Sequence, residues 1–351
     1  MSLAEEQIPP ELLFRPHQDN KLMCYVCPKV CLLDDGETGF CGIRKRLGQK
    51  IISKTYGLTT GIAVDPIEKK PLYHFLPGTD TLSLGGIGCN MACLHCQNAS
   101  TSQERREVAL KYLDKASPKR AVDEAIDRGL ESISLTYNEP TINVEYLVDI
   151  SKRARKAGIK IIVVTNGFLT KPLAIYLSKY IDAANVDFKG DKQFYRDVCS
   201  ARQTPVKVTV EEWVKAGVHV ELTTLVIPTK NDSKSFLLET VGWIKENLGE
   251  DIPLHLSRFY PQYKMNDIPP TSVKMLLDLR KVARKELSYV YTGNIRDEEG
   301  GTTLCPTCDA HLVVRGSFNI SRRGYGVEFV NFDPATNKCT QCGNEAPFTI
   351  R

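Results

Sequence analysis

The chain has 351 residues, 42% of them hydrophobic and 25% charged, so it can bury a large core and form two or three domains. Its formal net charge of +4 is too small to indicate a protein that binds nucleic acid or membranes. No stretch is apolar over the length that spans a bilayer, and the N-terminal sequence MSLAEEQIPPELLF lacks the apolar region of a secretory signal. We therefore expect a cytoplasmic protein.

Cysteine is the informative residue type, because eleven of the twelve cysteines fall in three tight groups and Cys199 stands apart. The groups are Cys24, Cys27, Cys31 and Cys41; Cys89, Cys93 and Cys96; and Cys305, Cys308, Cys339 and Cys342. Thiolates at CxxC spacing in a reducing cytosol favour metal sites. A disulfide framework is the alternative, but it is typical of secreted chains.

Residues 1–75 are predicted to form a cysteine-rich N-terminal segment. Its four cysteines are potential ligands, and the turn residues of DDGETGFCG can bring Cys41 back to the other three. Four soft ligands complete a tetrahedral site, so we expect a structural or electron-transferring centre with either zinc or an iron–sulfur cluster. The alternative is a knuckle without metal, which so short a core could hardly stabilise.

Residues 76–295 alternate between apolar strands and amphipathic helices. The predicted strands are residues 81–86, 132–137, 160–167, 183–190, 218–228, 253–261 and 288–294. The predicted helices are residues 118–129, 143–158, 171–180, one helix within 191–217, 233–249 and 272–287. This alternation indicates a parallel sheet with both faces covered. A full eightfold barrel needs one more unit, so we predict an α/β fold with a partial (β/α)6-type, TIM-like barrel of parallel strands and small cysteine-rich modules at both ends.

Residues 296–351 are predicted to form a C-terminal module similar to a zinc ribbon or rubredoxin. The knuckles CPTCDA and CTQCGN flank the β-prone stretch GSFNISRRGYGVEFVNF. We favour zinc over iron at these four cysteines, because nothing else in the sequence demands a further redox centre. Arg322 and Arg323, at the predicted hairpin tip, would suit a nucleic acid or a protein partner, although a solvated charged turn explains them as well.

The carboxyl ends of the strands carry distinctive residues, and such folds place their chemistry there. The first strand is followed by GCNMACLHC, in which Cys89, Cys93 and Cys96 form a CxxxCxxC motif. The next three strands lead into YNEPT, TNG and DFKG. Three thiolates can hold three irons of a four-iron, four-sulfur cluster and leave the fourth iron open. A catalytic zinc with three ligands and one water is the competing interpretation.

The CxxxCxxC spacing is the signature of the radical S-adenosylmethionine (radical SAM) superfamily, which the sequence resembles. Within it, the sequence is similar to the pyruvate formate-lyase activating-enzyme-like branch and, most of all, to the radical SAM enzymes of the AmmeMemoRadiSam system. The stretches that carry the resemblance are the N-terminal CxxCPxxC, DPIEKKPLYHFLPG, GCNMACLHCQN, TYNEPT, VTNGFLT, DFKG and the terminal double knuckle. We expect the DPIEKKPLYHF stretch to pack against the bottom or edge of the barrel.

The resemblance implies an oxidoreductase-type activity. Cys89, Cys93 and Cys96 would bind a 4Fe-4S cluster, which reductively cleaves SAM to a 5'-deoxyadenosyl radical that abstracts hydrogen from an unidentified substrate. His95 lies where the superfamily places a ring near the adenine. Glu139 resembles the residue of a Gly-Gly-Glu element that holds the methionyl ammonium, with Tyr137-Asn138 in place of the glycines. The further candidates for SAM contacts are Asn166, Asp187, Lys189 and His255.

Each of these residues also has a structural interpretation. Glu139 could cap the following helix, and Asp187 and Lys189 could form a solvated ion pair. His95 could be an ordinary loop residue, and His255 a satisfied core histidine. Gly85, Gly86 and Gly88 would permit close approach of the backbone to the cofactor.

Three functions remain open from the sequence. They are a radical SAM enzyme acting on a small molecule or a protein, a glycyl-radical activase, and a zinc protein that binds nucleic acid or a protein partner. The near-neutral charge argues against nucleic acid and no feature indicates a membrane partner. An enzyme of this type would need a low-potential electron donor, and the resemblance implies Memo-like and AMMECR-like companions.

Overall fold

A computed structural model describes residues 7–319 and 324–350, and within them the central sheet has eight strands that we number in chain order. They are β1 (Gly61–Pro66), β2 (Asp80–Gly85), β3 (Ser132–Thr136), β4 (Lys160–Thr165), β5 (Ala183–Asp187), β6 (His219–Val226), β7 (Leu254–Arg258) and β8 (Val290–Gly293). The spatial order runs from β8 to β1 without interruption. Strands β2 to β8 are parallel, and β1 pairs antiparallel with β2. The predicted α/β fold with a partial parallel barrel is confirmed.

Helices connect the parallel strands. They are α1 (Pro118–Asp127), α2 (Val144–Lys156), α3 (Lys171–Leu177), α4 (Lys192–Asp197), α5 (Gln203–Lys215), α6 (Lys234–Asn247) and α7 (Val273–Ala283). Local chemistry sets where several of them begin, because Ser117, Asp191, Ser233 and Ser272 each accept a hydrogen bond from the backbone N–H three residues later. Gly158, with φ of +72°, ends the turn after α2, as its position in the sequence predicts.

The single helix expected within residues 191–217 is wrong, because two helices, α4 and α5, occupy that stretch. Between them, the backbone carbonyls of Val198 and Cys199 accept hydrogen bonds from Leu94 and Ala92, both at 3.0 Å. The helical run therefore stops where its carbonyls bind the cysteine loop instead of the next helical turn.

The core lies between the sheet and the outer helices. Helix α2 turns Leu147, Ile150 and Ala154 inward, where each is fully buried, and its basic residues stay on the outer side. Burying one leucine or isoleucine side chain contributes about 1.5–3 kcal/mol. No helix of the described chain has both the length and the apolar character required to cross a membrane.

The N-terminal segment consists of short elements packed on the barrel. They are the helix Pro10–Leu13; the antiparallel strands Phe14–Pro16, Leu22–Cys24 and Leu32–Leu33; the hairpin Arg44–Leu47 with Lys50–Ser53; and Leu58–Thr59, which pairs with Asp114–Lys115. Strand β1 lies in the predicted segment 1–75 but pairs with the barrel sheet. Between the segment and α1 lie the short helix Ala99–Ser102 and the 3-10 helix Glu107–Tyr112. The predicted domain boundaries at residues 75 and 295 stay a prediction.

The stretch DPIEKKPLYHF closes the amino end of the barrel. Backbone N–H groups of Tyr73 and His74 donate to the buried carboxylate of Glu221 at 2.8 and 2.7 Å. Two histidines contact the same carboxylate, His255 through Nε2 at 2.6 Å and His219 through Nε2 at 3.1 Å. The carboxylate, near the start of β6, thus anchors the stretch that enters β2.

The C-terminal module contacts both edges of the open sheet. Its elements are the short helix Glu298–Gly301 and the strands Thr303–Leu304, His311–Asn319, Gly324–Phe329, Phe332–Asp333 and Lys338–Cys339. The helix packs on β8 and the strand Gly324–Phe329 on β1. Arg315, fully buried, donates to the Tyr73 carbonyl at 2.6 Å and lies 3.6 Å from the Glu68 carboxylate. Arg322 and Arg323 lie outside the described residues.

Candidate active site

A cavity of about 340 Å³ opens at the carboxyl ends of the strands. It is lined by eight of the nine residues that the sequence places around the cluster and SAM, all except His255. These eight are Cys89, Cys93, His95, Cys96, Glu139, Asn166, Asp187 and Lys189. They come from four successive strand ends, because parallel strands present their carboxyl ends at one edge of the sheet.

The loop that carries the three cysteines is held from two sides. Asn90 donates through Nδ2 to the Phe168 carbonyl at 2.8 Å, which ties the loop to the segment after β4. On the other side, the Ala92 and Leu94 amides donate to the α4–α5 connection, as described above. The loop is thus fixed by backbone and amide hydrogen bonds that do not depend on a metal.

Asn138 fixes the glycine turn ahead of the first cysteine. Its Oδ1 accepts from the Gly86 N–H at 2.9 Å, and its Nδ2 lies 3.1 Å from the carbonyls of Ile87 and Gly88. A Cβ at Gly88, where φ is +82°, would lie 2.4 Å from the Cys41 carbonyl oxygen. The glycines therefore make room for the protein's own side chains and backbone, and their role in close approach to the cofactor stays a prediction.

The three thiols face the cavity and already have hydrogen-bond donors around them. The Met91 N–H lies 3.4 Å and the Asn166 Nδ2 3.5 Å from the Cys89 sulfur, and the Ser102 hydroxyl lies 3.1 Å from the Cys96 sulfur. Burial raises the pKa of Cys89 well above its usual range. A cation bound at the thiols would reverse that effect, since metal coordination deprotonates a thiol. These donors and this burial fit a thiolate-bound metal centre.

Cys199 lies against the cluster loop although the sequence assigns it to no group. It is fully buried, and its carbonyl accepts a hydrogen bond from the N–H of Ala92, the residue before Cys93, at 3.0 Å. The neighbouring Cys199 thiol lowers the pKa of Cys93, against the effect of burial. The CxxxCxxC motif thus has a fourth cysteine beside it.

Glu139 is buried between the ends of β3 and β4. One carboxylate oxygen accepts from the Thr141 N–H, the Thr141 hydroxyl and the Thr165 hydroxyl, and the other accepts from the Asn166 N–H at 2.8 Å. Burial raises the pKa of Glu139, while hydrogen bonds from Thr141 and Asn166 oppose the effect. The carboxylate therefore caps the following 3-10 helix, Pro140–Ile142, and the oxygen bound only to the Asn166 N–H can accept a further hydrogen bond.

Asp187 and Lys189 form an ion pair at 2.6 Å on the cavity wall. The Lys189 side chain is only 14% exposed, so the pair is not the fully solvated one of the alternative interpretation. Burial lowers the pKa of Lys189, but the charges of Asp187 and of the neighbouring Cys93 outweigh it and raise the pKa well above its usual range. The ammonium is therefore a fixed positive charge beside the cysteine loop.

His95 is buried, lines the cavity and packs near Phe194, with ring centroids 5.9 Å apart. Burial, with a smaller effect of Lys189, lowers the pKa of His95 to about 3, so the ring is neutral. Within the described residues, its buried Nδ1 has no hydrogen-bond partner. A neutral ring with an unsatisfied nitrogen on the wall is suited to contact a bound ligand.

The structure separates His255 from these residues. Its Nε2 contacts Glu221, and its ring packs edge-on against Tyr73 at 4.7 Å between centroids. This environment matches the alternative of a hydrogen-bonded core histidine.

Other cavity-lining residues were not identified from the sequence. Asn185 in β5, Thr223 in β6 and Ser257 in β7 are polar residues within apolar strands, and that exception to the buried-strand pattern is the signal that could have found them. Lys70 also lines the cavity and is 2.7 Å from Asp65, which accepts a hydrogen bond from the Tyr137 hydroxyl. Burial lowers the pKa of Lys70 to about 8.

The C-terminal cysteines form a compact group. The sulfurs of Cys305, Cys308, Cys339 and Cys342 all lie within 4.8 Å of one another. Two of the distances are 3.7 Å (Cys305 to Cys342) and 3.8 Å (Cys308 to Cys339). A tetrahedral ion with metal–sulfur bonds of about 2.3 Å would separate its sulfurs by about 3.8 Å. The four cysteines therefore fit a single tetrahedral metal ion.

Known proteins resemble this chain over much of its length. Residues 84–239 match the family model for the Radical SAM superfamily. The chain is 39% identical over 341 residues to an uncharacterized protein of Methanocaldococcus jannaschii, covering 97% of this chain and 99% of that protein. It is 22% identical over 250 residues to a Haemophilus influenzae protein named as a glycyl-radical enzyme activating enzyme, covering 68% of this chain and 88% of the relative. A crystal structure of a radical SAM methyltransferase from Sphaerobacter thermophilus aligns with a TM-score of 0.47 at 14% identity, covering 62% of this chain and 66% of that one.

Proposed function

The chain belongs to the radical SAM superfamily and is an enzyme, and on that premise we propose that Cys89, Cys93 and Cys96 hold a 4Fe-4S cluster with SAM bound in the adjoining cavity. The observation that carries the proposal is that three cysteines of one loop line one cavity together with five polar or charged residues from successive strand ends. When bound, the two cofactors would supply a 5'-deoxyadenosyl radical that removes a hydrogen atom from the substrate.

The residues of the chain have separate tasks in this proposal. Asn166 and Asn138 hold the cysteine loop, one through the Cys89 sulfur and Asn90, the other through the glycine turn. Glu139 offers a carboxylate oxygen to the ammonium of methionine. Asp187 and Lys189 offer opposite charges to the ribose hydroxyls and the methionine carboxylate. His95, neutral and buried, contacts the adenine.

We propose a small polar molecule as the substrate. Asn185, Thr223 and Ser257 extend the cavity wall with neutral hydrogen-bonding groups, and Lys70 adds a cation. The Thr223 hydroxyl donates to Asn185 at 3.0 Å and Asn294 donates to the Ser257 hydroxyl at 2.9 Å, so these side chains are held in place by the protein. A hydroxyl or amide with one partner keeps further hydrogen-bonding capacity, which favours a polar ligand at this wall. The name of the Haemophilus relative supports a second candidate, in which the substrate is a backbone glycine of a partner protein.

Three further points belong to this proposal. The C-terminal cysteines bind zinc, which suits a site that needs no redox change. The enzyme works in the cytoplasm, where its cysteines stay reduced. A low-potential donor of single electrons supplies the reductant, and the Memo-like and AMMECR-like companions and the AmmeMemoRadiSam assignment stay predictions.

The test is anaerobic incubation of the reconstituted protein with SAM and dithionite. We expect 5'-deoxyadenosine and methionine from the wild type and none from Cys93→Ala. The control is that Cys93→Ala retains the circular dichroism and the C-terminal metal of the wild type, so that the loss is local. Equal product from wild type and variant would contradict the proposal. To separate the two substrate candidates, cell extract is divided by ultrafiltration and each fraction is added to the assay. A small-molecule substrate predicts that the filtrate alone increases the formation of 5'-deoxyadenosine.

A further inference from the structure

The N-terminal cysteines form a second group beside the cavity loop. Cys24, Cys27 and Cys41 are buried and Cys31 is partly buried. The backbone brings them together: the Cys24 N–H donates to the Cys31 carbonyl at 2.8 Å, and the N–H of Phe40, the residue before Cys41, donates to the Cys31 sulfur at 3.4 Å. Nothing in the proposed function uses this group.

The spacing of the sulfurs separates this group from the C-terminal one. In the described chain, the C-terminal cysteines are the only set of three or more metal-ligand residues whose ligand atoms all lie within 4.8 Å of one another. No three of the N-terminal sulfurs lie within that distance of one another. The sulfurs of Cys89, Cys93 and Cys96 likewise do not all lie within 4.8 Å of one another.

This wider spacing matters because the two kinds of centre need different ligand cages. A single tetrahedral ion draws its four sulfurs to about 3.8 Å from one another. A four-iron cluster binds each thiolate to a different iron, so its ligands must stand farther apart. The N-terminal group has the wider cage, and the C-terminal group the narrower one.

The surroundings of the N-terminal thiols suit a negatively charged centre. The Phe40 N–H donates to the Cys31 sulfur at 3.4 Å. Hydrogen bonds to the sulfurs stabilise thiolates and tune such clusters.

A buried cation accompanies this hydrogen bond. The Arg44 side chain is 1% exposed and its charge acts on Cys24 and Cys41. One of its nitrogens, Nε, is buried and has no hydrogen-bond partner among the described residues. Among the described residues, Glu145 is the only acid that forms an ion pair with Arg44, at 2.5 Å. The positive charge lies where a four-thiolate cluster would place negative charge.

We infer that Cys24, Cys27, Cys31 and Cys41 bind a second four-iron, four-sulfur cluster, in which every iron has a cysteine ligand. It differs from the centre at Cys89, Cys93 and Cys96 because no iron is open, so SAM does not bind to it. The two sites are neighbours. The Cys41 carbonyl packs on Gly88, the residue before Cys89, and Lys29 donates to the Ser200 carbonyl, next to Cys199, at 2.5 Å.

The test removes the first cluster and keeps the second. The full chain carrying Cys89→Ala, Cys93→Ala and Cys96→Ala is reconstituted without oxygen and analysed for iron, sulfide and zinc. We expect about four iron and four sulfide per chain and about one zinc. After reduction with dithionite, electron paramagnetic resonance should show a cluster signal that SAM does not change.

The matched variant removes the second site. Cys27→Ser and Cys31→Ser together should leave about four iron per chain, with a signal that SAM does alter. If the triple variant contains about two zinc and neither iron nor sulfide, the second cluster is refuted whatever the enzyme does with SAM. If the matched variant fails to fold, the triple variant decides alone, since it retains all four N-terminal cysteines. Failure of SAM cleavage in the wild type would contradict the proposed function and leave the metal analysis intact.

Discussion

Asn138 is an instructive residue of the site, because it stands where the related motif has a glycine. Its side-chain amide forms hydrogen bonds with the backbone of Gly86, Ile87 and Gly88. It follows Tyr137, a non-glycine residue with φ of +71°. A positive φ at tyrosine is uncommon and carries strain. The three amide hydrogen bonds hold the turn in place and offset that strain.

Replacing Asn138 with alanine should weaken both the fold and metal binding. Three hydrogen bonds of about 0.5–1.5 kcal/mol each are lost, so we expect the free energy of unfolding to fall by about 2–4 kcal/mol. The iron that remains after anaerobic reconstitution and gel filtration should fall as well, because the loop entering Cys89 is released. Asn266→Ala is the matched control: it removes one exposed amide hydrogen bond and should change stability by less than about 0.5 kcal/mol. Unchanged iron content in Asn138→Ala would show that the turn does not position the cysteines.

At the scale of elements, the segment between β1 and β2 supports the barrel from its amino end. His74 is buried there, with Nε2 at 2.6 Å from the Tyr291 hydroxyl and its ring against Tyr289 and Phe348. The charged groups that act on it are Glu221, His219, Arg315 and His255. Burial lowers the pKa of His74 to about 3; Glu221 opposes this shift, and His219, Arg315 and His255 add to it.

This histidine predicts a loss of stability in mild acid. The unfolded chain takes up a proton on His74 near pH 6.5, whereas the folded chain does so only near pH 3. Between those values the unfolded state binds more protons, so the free energy of unfolding falls as pH falls, by up to about 1.4 kcal/mol per pH unit from this group.

His74→Gln keeps a neutral hydrogen-bonding side chain and cannot titrate. The free energy of unfolding should be measured with urea at several pH values between 6.5 and 4.5 and plotted against pH. We expect the slope of this plot to be shallower in the variant than in the wild type, by the equivalent of about one bound proton. Burial also lowers the pKa of His95 to about 3, so His95 contributes the same pH dependence of the unfolding free energy to both proteins. Identical slopes would mean that His74 is protonated in the folded state.

The parallel strands were predictable because each is a continuous apolar run ending in a polar signal, as in β3 and β4. Strand β1, with the sequence GIAVDP, was missed: five of its six residues are partly buried or exposed, unlike those of the central strands, and it ends in proline. Its assignment depends on pairing with β2, a long-range contact that local pattern does not contain. Asn138 was missed as a site residue for the same reason, and the role of Cys199, a buried free cysteine or a residue of the substrate pocket, stayed open in the sequence, since both depend on partners distant in the chain.

At the scale of the whole molecule, the C-terminal module joins the two edges of a sheet that does not close on itself. Its short helix packs on β8 and its strand Gly324–Phe329 on β1, and Thr349 exchanges backbone hydrogen bonds with His74 and Leu76 at 2.7 and 2.8 Å. An open edge exposes unpaired backbone groups, and covering it protects them. A small module of this kind owes much of its stability to its metal.

Loss of the C-terminal metal should therefore loosen the barrel at its edges and not at its centre. Cys342→Ser removes the exposed ligand, and we expect about one metal ion per chain to be lost. Hydrogen exchange should then accelerate in the module and in β1 and β8, which lose their cover, while β5 in the middle of the sheet stays protected. Thr340→Ala, an exposed change in the same knuckle, is the matched control and should retain metal and protection. If β1 and β8 remain as protected from hydrogen exchange as β5 after loss of the metal, the module does not stabilise the edges of the sheet. The contacts of the PLYHF stretch would then be sufficient to hold them.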